Sequence, residues 1–304
     1  MSYELRPLSL AEILDAAFRL VQTEWKTLIG LSLIMQIPLV LLAFAVPWMF
    51  DPLAQPFAAG DELTAEDLVE IAAGIGGIGL LYLFLYPYIA AAVTASVGNF
   101  YLGRRFELSD AARAGLRTLF RLVACYIVWA IAYLGAMLLV VGAAALAFVV
   151  GGATIGSALQ AAGGIGKLIA VLLGLAVCGV AFFWIMFMTV VSSLLPPIAV
   201  LESNGILDTV RRAFLLGATS KWRLIGIVMT TGMIVGFPVF GAQMLIGMIP
   251  VVGLLIWASF QAVGFAFTTA AIVVLYFDLR CRAENYDLEL LAQQVEAGPG
   301  FGDG

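Results

Sequence analysis

Residues Leu8 to Gly30 read LSLAEILDAAFRLVQTEWKTLIG, and this stretch sets the pattern for the chain. Ser9 followed by Glu12 is the sequence of a capping box, in which each side chain accepts a free backbone N–H at the start of a helix. Leu10, Ile13, Leu14, Ala17, Phe18 and Val21 then recur on one helical face, with Glu12, Asp15, Arg19 and Gln22 on another. After Trp25 and Lys26 the charges stop and an apolar run begins. This predicts an amphipathic helix in a membrane interface, its apolar face in the acyl boundary and its charges in water, leading straight into a span. The first helix of a soluble domain could show the same face, but the composition of the whole chain speaks against it.

Of 304 residues, 63% are hydrophobic and only 12% charged, where a soluble chain is roughly half apolar and a quarter charged. That is the composition of an integral membrane protein. Its apolar runs are continuous rather than alternating, so the backbone groups must be satisfied within helices and not in a barrel. Six spans are expected, near 28–50, 71–97, 122–150, 168–195, 224–246 and 251–277. No cleavable signal peptide is expected, because the first apolar run starts late, follows acidic residues and is too long for a signal core. Cys125, Cys178 and Cys281 form neither a metal-like spacing nor a disulfide framework. The net charge of −5 suggests no nucleic-acid partner.

The connections set the orientation. Arg6, Arg19 and Lys26 precede the first span, Arg104, Arg105, Arg113, Arg117 and Arg121 lie between the second and third, Arg211, Arg212, Lys221 and Arg223 between the fourth and fifth, and Arg280 and Arg282 after the sixth. Of the 15 basic residues, only Lys167 falls on the opposite side. Both termini are therefore expected in the cytoplasm. The 51–70 connection agrees, with Asp51, Asp61, Glu62, Glu66, Asp67 and Glu70 and no base; Thr64 with Asp67 is expected to cap the second span. GGATIGSALQAAGGIG is read as a short outer loop and GMIP as a tight turn, so neighbouring spans form hairpins.

The opening device recurs. Ile13-Leu14-Asp15 and Ile206-Leu207-Asp208 open two amphipathic segments, and Trp25-Lys26-Thr27-Leu28-Ile29-Gly30 and Trp222-Arg223-Leu224-Ile225-Gly226 close them. Matched this way, the second copy is longer by about one helical turn. A weaker third copy starts at Leu108, LSDAARAGLRTLFRLVACYIV. The expected fold is an all-α integral membrane protein of six transmembrane helices in three hairpins, each preceded by a cytoplasmic amphipathic interfacial helix. The units run 8–97, 108–195 and 205–277 within one domain, 1–277, followed by a cytoplasmic tail, 278–304, helical at first and then disordered.

Motifs of chemistry are few. Gly74-Ile75-Gly76-Gly77-Ile78-Gly79 matches a dinucleotide-binding pattern but lies in a span rather than after a strand, and is read as close helix packing. Gly163-Gly164-Ile165-Gly166-Lys167 lacks the first glycine and the Ser/Thr of a phosphate loop. Gly232 and Gly236 are read as a helix-packing patch. With no histidine in the chain, Ser–His and Cys–His nucleophiles and His-ligated metals are excluded. Asp61, Glu62, Glu66 and Asp67 are read as solvated, not as a metal site, and the cytoplasmic acids as helix-face charges. No Asp, Glu, Lys or Arg sits centrally in a span, which argues against a proton-coupled pump. Gln36, Gln243, Gln261, Thr189, Ser192, Ser193, Thr268 and Thr269 are expected to bond between helices. Pro38, Pro47, Pro87 and Pro238 should kink their helices, and Pro196-Pro197 should end the fourth span.

One electrostatic feature remains. Arg113, Arg117 and Arg121 recur every four residues behind Arg104-Arg105, with Ala112, Leu116, Leu119 and Phe120 read as lying opposite. These five arginines are the candidate contacts for anionic lipid head groups, each contributing about 1 kcal/mol near an anionic leaflet; simple topology signalling is the alternative.

Arg6-Pro7-Leu8-Ser9-Leu10-Ala11-Glu12-Ile13-Leu14-Asp15-Ala16-Ala17-Phe18-Arg19 resembles the opening of bacterial proteins classed as the membrane domain of glycerophosphoryl diester phosphodiesterase. Val200-Leu201-Glu202 through Arg211-Arg212-Ala213-Phe214 to Trp222-Arg223-Leu224 is similar to the same family. So is Leu275-Tyr276-Phe277-Asp278-Leu279-Arg280-Cys281-Arg282, with Glu284 and Asp287-Leu288-Glu289. The resemblance implies a membrane module. In family members that are enzymes a soluble catalytic barrel follows, and its histidines and metal-binding carboxylates have no counterpart here. In the tail, Asp278 with Arg282 and Arg280 with Glu284 are spaced to pair, and Leu288, Leu291 and Val295 could dock the helix back.

The function expected is a non-enzymatic accessory or scaffold module of a bacterial cytoplasmic membrane, without cofactor or metal, serving envelope or lipid processes beside a membrane-protein partner. A passive transporter or lipid-translocating protein is the alternative, and a membrane-embedded phosphodiesterase a third reading. The orientation is testable. In a cysteine-free background, an impermeant thiol reagent on intact cells should label single cysteines placed in 55–65, in 155–163 and at 248. It should not label one at 290, and reaction there would reverse the topology.

Overall fold

The computed structural model describes residues 8–45, 65–104, 106–161, 164–202, 205–246 and 248–284. Within them every regular element is an α-helix: α1 (Leu10–Thr23), α2 (Trp25–Ala45), α3 (Ala65–Tyr101), α4 (Leu108–Ala161), α5 (Gly164–Ser192), α6 (Leu195–Leu201), α7 (Ile206–Thr219), α8 (Lys221–Ile246) and α9 (Pro250–Glu284). Five stretches are long and apolar enough to cross a bilayer: Gly79–Tyr101, Leu108–Leu139, Cys178–Leu201, Lys221–Ile246 and Val251–Glu284. The chain is thus a multi-pass membrane protein, all-helical among the described residues. The first expected span overlaps α2 over 28–45, and α2 is not one of these five stretches. The span's remainder, with Pro47, Thr64 and most of the acidic connection, lies outside the described residues, as do Leu288, Leu291 and Val295.

Two local expectations are corrected. The stretch read as a small-residue outer loop is helical, since α4 continues to Ala161 and α5 resumes at Gly164. Alanine is the best helix former, and each glycine costs a helix only about 1 kcal/mol. Pro196-Pro197 does not close a helix but opens one: α5 ends at Ser192, and the prolines lie in the first turn of α6, where a missing N–H costs nothing. Pro38, Pro87 and Pro238 lie inside α2, α3 and α8.

The amphipathic segments share a register that the sequence strings obscured. Leu10, Leu108 and Ile206 are the first residues of α1, α4 and α7, spaced by 98 residues each time (108 − 10 and 206 − 108). At that spacing the first-turn acids Glu12, Asp110 and Asp208 coincide, facing the positive helix end. So do the buried positions Ile13/Ala111/Thr209, Ala17/Gly115/Ala213 and Leu20/Thr118/Leu216. The matched Ile-Leu-Asp strings are therefore one turn out of step, and α1 and α7 are equal at 14 residues. Each is followed by a single non-helical residue, Glu24 (φ −112°, ψ 29°) or Ser220 (φ −124°, ψ 36°). The carbonyl of that residue takes the first N–H groups of the next helix, Thr27 and Leu28 in one copy and Arg223 and Leu224 in the other. In α4 the corresponding residue is Leu122, fully buried, and the helix runs through it without a break. No separate interfacial helix precedes the third expected span.

The faces also differ from expectation. The capping box of α1 is present, with the Ser9 N–H donating to Glu12 Oε2 at 2.6 Å and the Glu12 N–H to Ser9 Oγ at 3.3 Å. The buried face, however, is Ile13, Ala16, Ala17, Leu20 and Val21, while Leu10 (42%) and Phe18 (53%) face outward. Their register mates Leu108 and Leu116, and Ile206 and Phe214, are exposed as well.

The core is built around α3 and α9. Ile89, Ala91, Ala92 and Val93 of α3 and Ala266, Ala270, Ala271 and Val273 of α9 are buried, and the alanines among them are small enough to let helix axes approach. Glycine acts at particular places. A Cβ on Gly115 of α4 would lie 2.9 Å from the backbone oxygen of Tyr88 in α3. By contrast, Gly76, Gly77, Gly79, Gly232 and Gly236 have nothing within 4 Å, so the close packing read at these five glycines is absent among the described residues. Just past the end of α3 at Tyr101 comes Gly103 (φ 71°), where the Gly103 N–H returns to Phe100 O and the Arg104 N–H to Asn99 O, a Schellman turn that sends the chain into α4.

Gly115→Ala tests this packing. Alanine is the better helix former by about 1 kcal/mol, but overpacking against a backbone atom costs about 1–3 kcal/mol. The apparent melting temperature in detergent should fall for Gly115→Ala. It should hold or rise for Gly135→Ala, where the added carbon meets nothing.

Candidate functional site at the basic end of the helices

The starts of α2, α4 and α8 and the ends of α3, α6 and α9 gather at one end, where most of the described basic residues lie. Tyr101 of α3 stacks on Phe277 of α9 (5.3 Å, 16°), and the Cys125 thiol of α4 donates to the carbonyl of Ile206 at 3.8 Å. Two clusters of charge close this end.

The first forms around Asp278, whose side chain is fully buried in α9. Leu8, just outside the capping box, has a backbone N–H that α1 cannot satisfy, and donates it to Asp278 Oδ1 at 2.7 Å. Arg223, at the start of α8, donates through Nε to Asp278 Oδ2 at 2.8 Å, and Arg282 donates through Nε to both oxygens at 3.2 Å. Both arginines then donate an Nη2 hydrogen to the Leu8 carbonyl, Arg282 at 3.0 Å. One carboxylate and the backbone N–H and carbonyl of one residue thus tie the N-terminal segment, α8 and α9 together.

The second cluster centres on Glu202, the C-cap of α6, whose side chain is only 8% exposed. It accepts from the Tyr276 hydroxyl and pairs with Arg212 of α7. Arg212 also reaches Glu284 (2.5 Å), which Arg280 meets at 3.0 Å. Burial opposes the charge on Arg212, but the hydrogen bond and charge of Glu202 more than compensate, so its pKa lies above the ordinary arginine value. The i,i+4 pairs expected in the tail, Asp278–Arg282 and Arg280–Glu284, are both present. Glu202 and Asp278, read among the helix-face charges, are in addition buried. Desolvating an acid is tolerable only with several donors around it, and these two have them.

The five arginines singled out from the sequence do not form one surface. Arg113 and Arg117 are exposed on α4. Arg121 is half-buried and donates to the carbonyl of Ala199 in α6. Arg104 is exposed just after the Gly103 turn, and Arg105 lies outside the described residues. Nor are Leu116 and Phe120 opposite the stripe: α4 buries Ala111, Gly115, Thr118 and Leu122, and leaves Leu116 60% and Phe120 75% exposed beside the arginines.

Three of the hydroxyls expected to link helices bond within their own segment instead, while the Tyr82 hydroxyl of α3 does reach another helix, donating to the Met35 carbonyl of α2 at 3.4 Å. Thr189, Ser192 and Ser193 donate to Ile185, Thr189 and Val190, three or four residues back. Thr231 of α8 does the same toward Ile227. Among the described residues no three His, Cys, Asp or Glu side chains converge as metal ligands; the outer acids Asp61 and Glu62 lie outside the described residues. Comparison with models of protein families, with curated sequences and with solved structures finds no match.

Asp278→Asn keeps the shape of the first cluster and removes its charge, leaving Arg223 and Arg282 facing each other. Losing one partner of a buried pair costs about 3–5 kcal/mol. A large drop in thermal stability is expected, and proteolysis should open the N-terminal segment. Asp15→Asn, in a pair more than half exposed on both sides, should cost under about 1 kcal/mol.

Proposed function

We propose that this chain is a non-enzymatic scaffold module of a bacterial cytoplasmic membrane, with six spans in three hairpins and both ends in the cytoplasm. The observation that carries this reading is how the helices are closed at the basic end. There, small apolar side chains of α3 and α9 fill the centre and two ion-pair clusters join α1, α6, α7, α8 and α9. A transport route needs polar groups facing a common path. The serine and threonine hydroxyls described above are instead bonded within their own segments. The absence of histidine removes the commonest acid–base and nucleophile-activating group.

The resemblance to the membrane domain of glycerophosphoryl diester phosphodiesterase fits the same reading. Leu8, Glu202, Arg212, Arg223, Asp278, Arg280 and Arg282 come from the three segments that carry the likeness, and they meet in the two clusters. What those segments share is then a way of closing a helical bundle, separate from any phosphodiester chemistry. The partner is a membrane protein held beside the helices, with lipid around both.

Reconstitution distinguishes the readings. Vesicles containing the purified protein should leak potassium and flip a fluorescent phospholipid no faster than protein-free vesicles, and glycerophosphodiesters with divalent metal should stay intact. Protein-dependent flux or flip would favour the transport alternative, and metal-dependent hydrolysis would refute the scaffold reading.

A further inference from the structure

The common register of α1, α4 and α7 exposes a difference that none of the three shows alone. In α1 the positions of Asp15 and Arg19 form an i,i+4 ion pair at 3.0 Å on the exposed surface. Displaced by 98 residues, the same two positions in α4 hold Arg113 and Arg117, and in α7 they hold Arg211 and Leu215. Where α1 neutralises itself, α4 sets two like charges one turn apart. Such a pair is unfavourable unless an anion lies between. Among the described residues no carboxylate comes within ion-pairing distance of either guanidinium, although Glu107 and Asp110 precede them on the same chain; those acids instead occupy the helix start, where the Glu107 N–H meets Asp110 Oδ2.

The surroundings select the anion. Leu116 and Phe120 share the outward face with the two arginines. Because α4 is unbroken, Phe120 lies about 10 Å further along the axis than Arg113, toward the apolar part of the span. A free phosphate would have no use for that ridge. A phospholipid would, its phosphate spanning the guanidiniums and its acyl chain starting at Phe120. We infer that Arg113 and Arg117 form a clamp for the phosphodiester of an anionic phospholipid, seated against Leu116 and Phe120. Arg121 is no part of it, being held on the Ala199 carbonyl. The inference rests on the membrane-spanning reading and is independent of the scaffold role.

The test is retention of phosphatidylglycerol when the protein is exchanged into phosphatidylcholine nanodiscs, read by native mass spectrometry. Spanning itself is checked beforehand, by resistance of the protein to alkaline extraction from membranes, so that a failure there is not mistaken for a failure of the clamp. The wild type should retain the lipid. The double variant Arg113→Gln/Arg117→Gln should bind it about thirtyfold more weakly, the factor expected from two basic groups at an anionic leaflet. Arg113→Lys/Arg117→Lys should fall between, because lysine lacks the paired planar donors. Arg113→Asp writes the α1 pair into α4; it should lose the lipid while melting no lower than the wild type. Equal retention by the lysine variant and the wild type would reduce the site to bulk charge attraction and overturn the clamp. Equal retention by the glutamine variant would overturn it too. Displacement by inorganic phosphate would make it a site for soluble anions and overturn the lipid assignment.

Discussion

The carboxylate of Asp278 is the constraint on which this end of the molecule depends. It lies in the helix with the most buried span and accepts from a peptide N–H and two guanidiniums belonging to separate segments. Each donor alone would be a weak surface contact. Held together away from water, they fix the angle at which α1 meets α9 and the height at which α8 begins. The Glu202 cluster does the same for α6 and α7, so that two acids set the relative position of five helices.

This division of labour matches what a bilayer can and cannot do. Within hydrocarbon, apolar side chains gain nothing by choosing a helix over lipid, so contacts there depend on small residues and shape. At the ends, where some water reaches, charge discriminates again. The outer faces of α4, α5 and α8 stay apolar and exposed, with Leu138, Phe182 and Phe237 each above 60%. The specific interactions are concentrated where the basic residues are.

Much of this was legible beforehand. Apolar run length gave the helices, Ser9 and Glu12 gave the capping box, and the spacing of Asp278, Arg280, Arg282 and Glu284 gave the tail pairs. What failed did so for identifiable reasons. An acid in a charged tail reads in a string as a helix-face charge, and only the return of Leu8 and Arg223 from far along the chain shows that Asp278 is buried. Glycine patterns name places where helices could approach without saying whether a neighbour comes; Gly115 meets Tyr88, and Gly232 meets nothing. Matching Ile-Leu-Asp strings misplaced the repeat by a turn, because side-chain identity drifts while the pattern of buried positions persists. Gly103 was the missed signal, a glycine just past a helix and ahead of two arginines.

The single residues Glu24 and Ser220, set against Leu122, have a mechanical consequence. Two of the three amphipathic segments are jointed to their spans and can change their angle to them by adjusting one backbone position. The third is a rigid lever. A bilayer that thins or thickens changes the tilt of the helices that cross it. In α1 and α7 such tilting can be absorbed at the joint. In α4 it is transmitted undiminished to Arg113 and Phe120, so the same helix that fits the thickness of the membrane also moves whatever its outer turns hold.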